Sequence, residues 1–136
     1  MLLWAGEAAA QVEAIGFIKT VEGAAFIERK GERIAASVGG PLYRADICET
    51  GEAGTLGMTF KDNMVLSLGP LTRLKLESFE FEPVEHKLGF VGELTRGTMQ
   101  YISGLIAKLS PESVTVKTPV ANIAVRGTRF LVRIDD

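Results

Sequence analysis

Catalysis needs groups that hold a proton, a metal or a covalent intermediate, and this sequence offers few. His86 is the single histidine and lies in the polar run Pro83-Val84-Glu85-His86-Lys87. Any Ser–His–Asp or Cys–His arrangement must use it, although it reads as a solvated loop residue. Cys48 is the single cysteine, so neither an intramolecular disulfide nor a cysteine-based metal site can form. Within the alternating stretch Ala45–Thr50 it reads as a small buried apolar residue. There is no His-Glu-x-x-His, no nucleophile elbow and no glycine run built to cradle phosphate. Asp62-Asn63 and Asp135-Asp136 offer too few oxygens for a cation site. Of the 17 acids, Glu77, Glu80, Glu82 and Glu85 cluster along one strand and the turn after it. Such charge deters sheet-to-sheet association, and no apolar pocket is evident to separate two carboxyl pKa values for glycosidase-like work. No enzyme, cofactor or metal site is expected.

The more distinctive polar group closes the chain, in Thr118-Pro119-Val120-Ala121-Asn122-Ile123-Ala124-Val125-Arg126-Gly127-Thr128-Arg129-Phe130-Leu131-Val132. It reads as strand, turn, strand. Gly127 allows a bend or a close approach, Thr128 can bond a nearby backbone group, and Arg126 is a five-donor fork suited to carbonyls or a carboxylate. Its expected role is a structural anchor, the alternative being contact with an acidic ligand.

The elements that must position these residues are strands. Fifteen glycines and five prolines break the chain at short intervals, and apolar residues alternate between them. Phe17, Lys19 and Val21 are expected on one side of the first strand, Ile18 and Thr20 on the other. Lys30-Gly31-Glu32 reads as a tight turn, as does Lys61-Asp62-Asn63 with Asn63 left-handed. Met64, Leu66 and Leu68 share a face. In 71–82 the apolar face slips between Leu76 and Phe79, which predicts a bend or bulge. Residues 88–94 and 98–103 read as two strands. One short helix is expected near 103–109, capped by Ser103 and ended by Pro111. Phe130, Val132 and Ile134 face one way, Arg129, Leu131 and Arg133 the other. Segments 49–60 and 117–128 form a weak internal echo. About ten or more short, mostly antiparallel strands imply an all-β domain, either a two-sheet sandwich or a short β-roll or barrel.

At 136 residues, 46% hydrophobic and net charge −2, the chain has the size and composition of one globular domain. Its Lys and Arg are scattered, which argues against nucleic-acid or membrane-surface binding. No segment approaches the ~18 apolar residues of a spanning helix. Residues 1–14, with Leu2, Leu3, Trp4 and Ala8–Ala10, read as an N-terminal arm or the remnant of an export signal.

The closing segment resembles the FecR-type domain, whose pattern runs Thr-Pro, an apolar strand, Val-Arg-Gly-Thr and a last strand. The stretch 21–52, with Asp46, Thr50 and Gly51, is similar to the family's opening, and 58–76, with Asp62, to the hairpin that follows. The resemblance runs from about Ile15 to Ile134. Ala45 and Asn63 stand where the family usually has glycine. The resemblance implies a stand-alone version of the periplasmic sensing domain, with Asp46, Thr50, Asp62, Thr118, Pro119, Arg126, Gly127 and Thr128 as its structural motif and Asp46 as the expected partner of Arg126. In the family's regulators an anti-sigma-like segment and a transmembrane helix precede this domain; neither is expected here.

The function expected is a non-catalytic envelope binding or sensing module, in the periplasm or at the cell surface, that contacts another envelope protein through a sheet edge or polar loops. A self-associating scaffold of a surface or polysaccharide system is the alternative, and a glycan or small-molecule binder comes third.

Overall fold

The computed structural model describes residues 13–124 and 127–134. Among them are twelve strands: β1 (Gly16–Glu22), β2 (Ala25–Arg29), β3 (Glu32–Ala35), β4 (Pro41–Leu42), β5 (Ile47–Thr50), β6 (Thr55–Phe60), β7 (Val65–Leu68), β8 (Arg73–Glu82), β9 (Lys87–Ile102), β10 (Val114–Lys117), β11 (Asn122–Ala124) and β12 (Arg129–Ile134). The one α-helix, α1, spans Leu105–Leu109. The all-β expectation with a single short helix holds.

The strands form one sheet curled on itself, with β9 shared by its two halves. Residues 87–96 of β9 pair with β8, and within that stretch Phe90–Glu93 pair on the other side with β10, the one parallel pair among the described residues. Beyond them the strand changes neighbours, to β7 from Met99 and to β12 from Gly97. One half therefore runs β4-β1-β6-β7-β9-β12, and the other β3-β2-β5-β8-β9-β10-β11.

Alternation decides which side chains enter the space between the halves. Leu56, Met58 and Phe60 of β6 and Leu66 and Leu68 of β7 point in, as do Cys48, Leu74, Leu76, Phe79, Phe90 and Leu94 from the other half; all are buried. The halves meet where Phe60 lies 5.7 Å from Phe79 and 6.1 Å from Phe90, ring centre to ring centre. Cys48 Sγ sits 3.7 Å from Met58 Sδ. Removing such apolar area from water is the main stabilising term for a domain with no crosslink among its described residues.

The slip read at Leu76–Phe79 is a bulge: Leu76 pairs with Gly92 and Ser78 with Val91, leaving Glu77 as the extra residue. The face assigned to β1 needs correction. Ile18 pairs with Met58 and Thr20 with Gly57, so Lys19 is a bulged residue and Val21 returns to the core side with Ile18. The two strands expected at 88–94 and 98–103 are the single strand β9, because Gly97, at φ +92°, turns the chain without ending the ladder. Nor is the 49–60 and 117–128 echo a structural repeat. β5 and β6 lie in opposite halves, whereas β10 and β11 pair as a hairpin. The expected arm 1–14 lies outside the described residues except for Glu13, paired with Lys61 at 3.0 Å, and Ala14.

Gly97 and Gly127 share a left-handed backbone, φ +92° and +90°, but differ in their surroundings. A Cβ at Gly97 would collide with the side chain and Cα of Thr72, while one at Gly127 would meet nothing within 4 Å. Gly97→Ala is expected to cost about 3 kcal/mol or more. Gly127→Ala should cost about 1 kcal/mol, the backbone strain alone. Urea denaturation checks both, and equal losses would mean that Thr72 is not the constraint.

Candidate functional site

The motif residues are turn-builders at separate corners. Asp46 is buried after the β4–β5 turn. Its Oδ1 accepts from Arg29 Nε at 2.9 Å, and its Oδ2 accepts from Arg29 Nη2 at 2.9 Å and from the Tyr43 N–H at 2.9 Å. This two-point fork fixes the plane of the carboxylate as well as its charge. Arg29 also covers the Tyr43 ring, 4.6 Å from its centre, and bonding to Asp46 raises its pKa despite partial burial. The partner expected for Asp46 was Arg126. Arg126 lies outside the described residues, and the carboxylate is held by Arg29, which is not among the motif residues. An arginine at the end of a strand gives no sign of reaching a carboxylate 17 positions on.

Thr50, at the end of β5, accepts from the Thr72 N–H at 3.0 Å and donates to the Gly69 carbonyl at 2.6 Å. Thr72 Oγ1 in turn accepts from the Thr98 N–H at 2.9 Å. These hydroxyls tie the turns at 50–54 and 69–72 to β9 beside Gly97. Asp62, buried in the β6–β7 turn, accepts from the Met64 N–H through Oδ1 and from the Ile106 N–H through Oδ2, each at 3.1 Å. Asp62 thus satisfies a free N–H at the start of α1. Ser103 does not cap it: the cap position is Gly104. A Cβ there would press into Asp62 and the Met64 nitrogen. Asn63 is left-handed, φ +72°, as expected.

Thr118 closes the β10–β11 turn, its Oγ1 donating to the Ala121 carbonyl at 2.8 Å and accepting from the Ala121 N–H at 3.0 Å; Pro119 is exposed in that turn. Gly127 supplies a bend and no close packing. Thr128 accepts from the Ser103 N–H at 2.8 Å through its main-chain carbonyl. The described motif residues thus stand at five different corners.

The groups weighed for chemistry are equally dispersed. His86 is exposed and left-handed, φ +57°, in the turn between β8 and β9. Burial pushes the Cys48 thiol up, which disfavours the thiolate. Glu77 pairs with Lys117 at 2.7 Å and Glu85 with Lys87 at 3.5 Å, while Glu80 and Glu82 face solvent. Asp135 and Asp136 lie outside the described residues. Among the described residues no three His, Cys, Asp or Glu gather as metal ligands, and no helix is long and apolar enough to cross a membrane.

What does stand out is a surface. On the outer face of the β6–β7–β9–β12 region, register places Thr59, Val65, Ile102 and Arg129 in one row and Gly57, Ser67, Gln100 and Leu131 in the next. The outward residues of β6, β7 and the 98–102 part of β9 carry no charge. Charge begins at the rim, with Lys19, Glu22 and Arg129. The edge strand β12 pairs only with β9 among the described residues, and Leu131 is 64% exposed there. Phe130 fastens β12 from the inner side by stacking on Tyr101, 4.7 Å between centres at 11°.

A family model described as "FecR protein" matches residues 46–136. The chain belongs to the FecR family. The match opens at Asp46, so Arg29, which holds that carboxylate in this FecR-family domain, lies ahead of the matched region. Comparison with curated proteins finds no match. Among solved structures, one described as "Cell surface anchoring domain" is similar at 23% identity and a TM-score of 0.45, over 46% of this chain and 84% of that one.

Two expected outcomes follow from these corners. Ala45, before Asp46, is left-handed at φ +74°, held there by its N–H to the Leu76 carbonyl at 2.7 Å. Ala45→Gly should therefore stabilise the domain by about 1 kcal/mol, relief of strain outweighing the added freedom of the unfolded chain. A lower urea midpoint in the variant would contradict this. Tyr101 is pushed up to about 12, first by burial and then by the negative charge of Asp62. The unfolded chain releases this proton near 10 while the folded state keeps it. Its contribution is complete below pH 10 and is lost as pH rises through about 12. Tyr101→Phe should lose less stability over that interval, read as urea midpoints against pH, and parallel curves would refute the assignment.

Proposed function

We propose that this FecR-family domain is a non-catalytic binding module of the cell envelope, in the periplasm or at the cell surface. It docks another protein on the outer face of β6, β7 and the 98–102 part of β9, which carries no charge, with Arg129 and Arg133 of β12 at its rim. Family membership supports the envelope assignment. The observation that carries the docking reading is the contrast between an uncharged centre and a charged rim.

Protein interfaces deplete charge from their centre because a buried ion must be desolvated, and they keep charge at the wet margin. Thr59, Val65, Ser67, Gln100 and Ile102 can be covered with little such cost. At the margin lies β12, which pairs only with β9 among the described residues and carries the exposed Leu131, so a partner strand can approach the sheet there. The non-catalytic reading is supported by the exposed position of His86 in a turn and the burial of Cys48.

The test is site-specific photo-crosslinking in envelope fractions, with the photoreactive residue at Gln100, at Leu131, or at Val84 in the distant β8–β9 turn. One dominant protein is expected from Gln100 and Leu131 and none from Val84. Adding Ser67→Lys should reduce that capture about tenfold, a buried charge costing more than 1 kcal/mol at an interface centre, with the melting temperature unchanged. Capture only of the domain's own copies, with sedimentation that depends on concentration, would replace this reading with a self-assembling scaffold. Equal capture from Val84 would reject the face.

A further inference from the structure

The opposite outer face, across β3, β2, β5, β8 and β9, has the reverse character. At its centre Glu49 on β5 gathers three arginines from three other strands. Arg33 of β3 reaches Oε1 at 3.2 Å, while Arg73 of β8 and Arg96 of β9 reach Oε2 at 2.8 and 3.2 Å. Each guanidinium meets the carboxylate through one terminal nitrogen, whereas Arg29 and Asp46 form a full fork. Most of their N–H groups are therefore not spent on Glu49. The carboxylate is nearly covered, its side chain 12% exposed, but the arginines remain 57%, 34% and 46% exposed. Three guanidiniums thus share one carboxylate, and the cluster keeps a positive excess that Glu28, opposite Arg33, and Glu93, beside the depression, offset only in part. Arg33 is held in place by the Phe26 ring, 4.2 Å from its centre. An open depression of about 240 Å³, lined by Ile47, Arg73, Lys75, Glu93 and Thr95, adjoins the cluster.

We propose that this arginine cluster binds the carboxylate side chains of a short acidic peptide segment in a partner protein. The incoming carboxylates take the outward N–H groups and share the arginines with Glu49, which acts as an internal competitor. Charge complementarity commits the site to an anion, and its surroundings limit how far that anion extends. Glu28 stands directly opposite Arg33, Glu93 stands opposite both Lys75 and Lys117, and Glu77 pairs with Lys117. An extended anionic surface, such as a bilayer or a nucleic-acid backbone, would press against these acids, whereas a short segment avoids them. Ile47, half-buried on the same face and lining the depression, suits an apolar residue of a peptide. This site is distinct from the docking face proposed above and does not depend on it.

The test is a titration of the purified domain with fluorescein-labelled hexaglutamate, read by anisotropy at fixed ionic strength, with circular dichroism melts to verify folding. Binding is expected, and Arg33→Ala/Arg96→Ala should weaken it roughly tenfold or more. Lys108→Ala, on α1, should leave it within about twofold, as a diffuse charge effect would not. Glu49→Gln is the discriminating variant: by removing the competitor it should tighten binding several-fold even while lowering the melting temperature. A purely structural cluster would give the destabilisation alone. Absence of binding to the folded wild type, equal weakening by Lys108→Ala, or unchanged or weaker binding in folded Glu49→Gln would overturn the proposal. Tighter binding to phosphatidylglycerol vesicles than to the peptide would overturn the peptide assignment. Because the probe is synthetic and no envelope partner is present, a negative result here leaves the docking face standing, and the reverse also holds.

Discussion

The crossing of β9 past Thr72 is the constraint on which the rest of the structure depends. A strand of sixteen residues serves both halves of the sheet by exchanging neighbours at Gly97. The exchange requires a left-handed residue pressed against Thr72, and glycine alone meets both conditions without strain. The Thr72 hydroxyl accepts from the Thr98 N–H, so the side chain that closes the gap also satisfies the backbone just past the turn. Thr50 bonds to the Thr72 N–H and extends the same tie to β5. Shifting this corner would move the two inner faces relative to each other and separate the Phe60, Phe79 and Phe90 rings.

The polar motif is best understood through the same physics. Buried donors and acceptors at turns must be paired, and a short side chain fixed to its own backbone does this most cheaply. Asp46, Asp62 and Thr118 each do so at a different corner, while Thr50 serves the backbone of the 69–72 turn across from it. A residue pattern of this kind specifies a fold, and an activity has to be sought on the surfaces that the fold presents.

Those surfaces divide the labour between the two halves. One outer face is laced with charge across its strands and is centred on a crowded carboxylate. The other is uncharged across three strands and ends at β12, which pairs only with β9 among the described residues. Strong desolvation costs attach to covering the first with anything but a complementary ion, whereas the second can be covered by neutral protein surface. A single domain thereby presents two chemically different surfaces on opposite sides.

Much of this was legible in the sequence because it is local. Period-two alternation marks the strands, a slipped alternation locates the Glu77 bulge, and Asn63 declares its own left-handed turn. The Lys19 bulge escaped because polar neighbours hid the slip, and β9 looked like two strands because Gly97 bends a ladder that continues beyond it. What only the tertiary structure decided is long-range: Arg29 as the holder of Asp46, Asp62 as the cap of α1, and three arginines on separate strands converging on Glu49. Each of these pairings depends on which strands become neighbours. Neighbour order is set by how the whole sheet curls to bury its apolar faces, and no single segment carries that information.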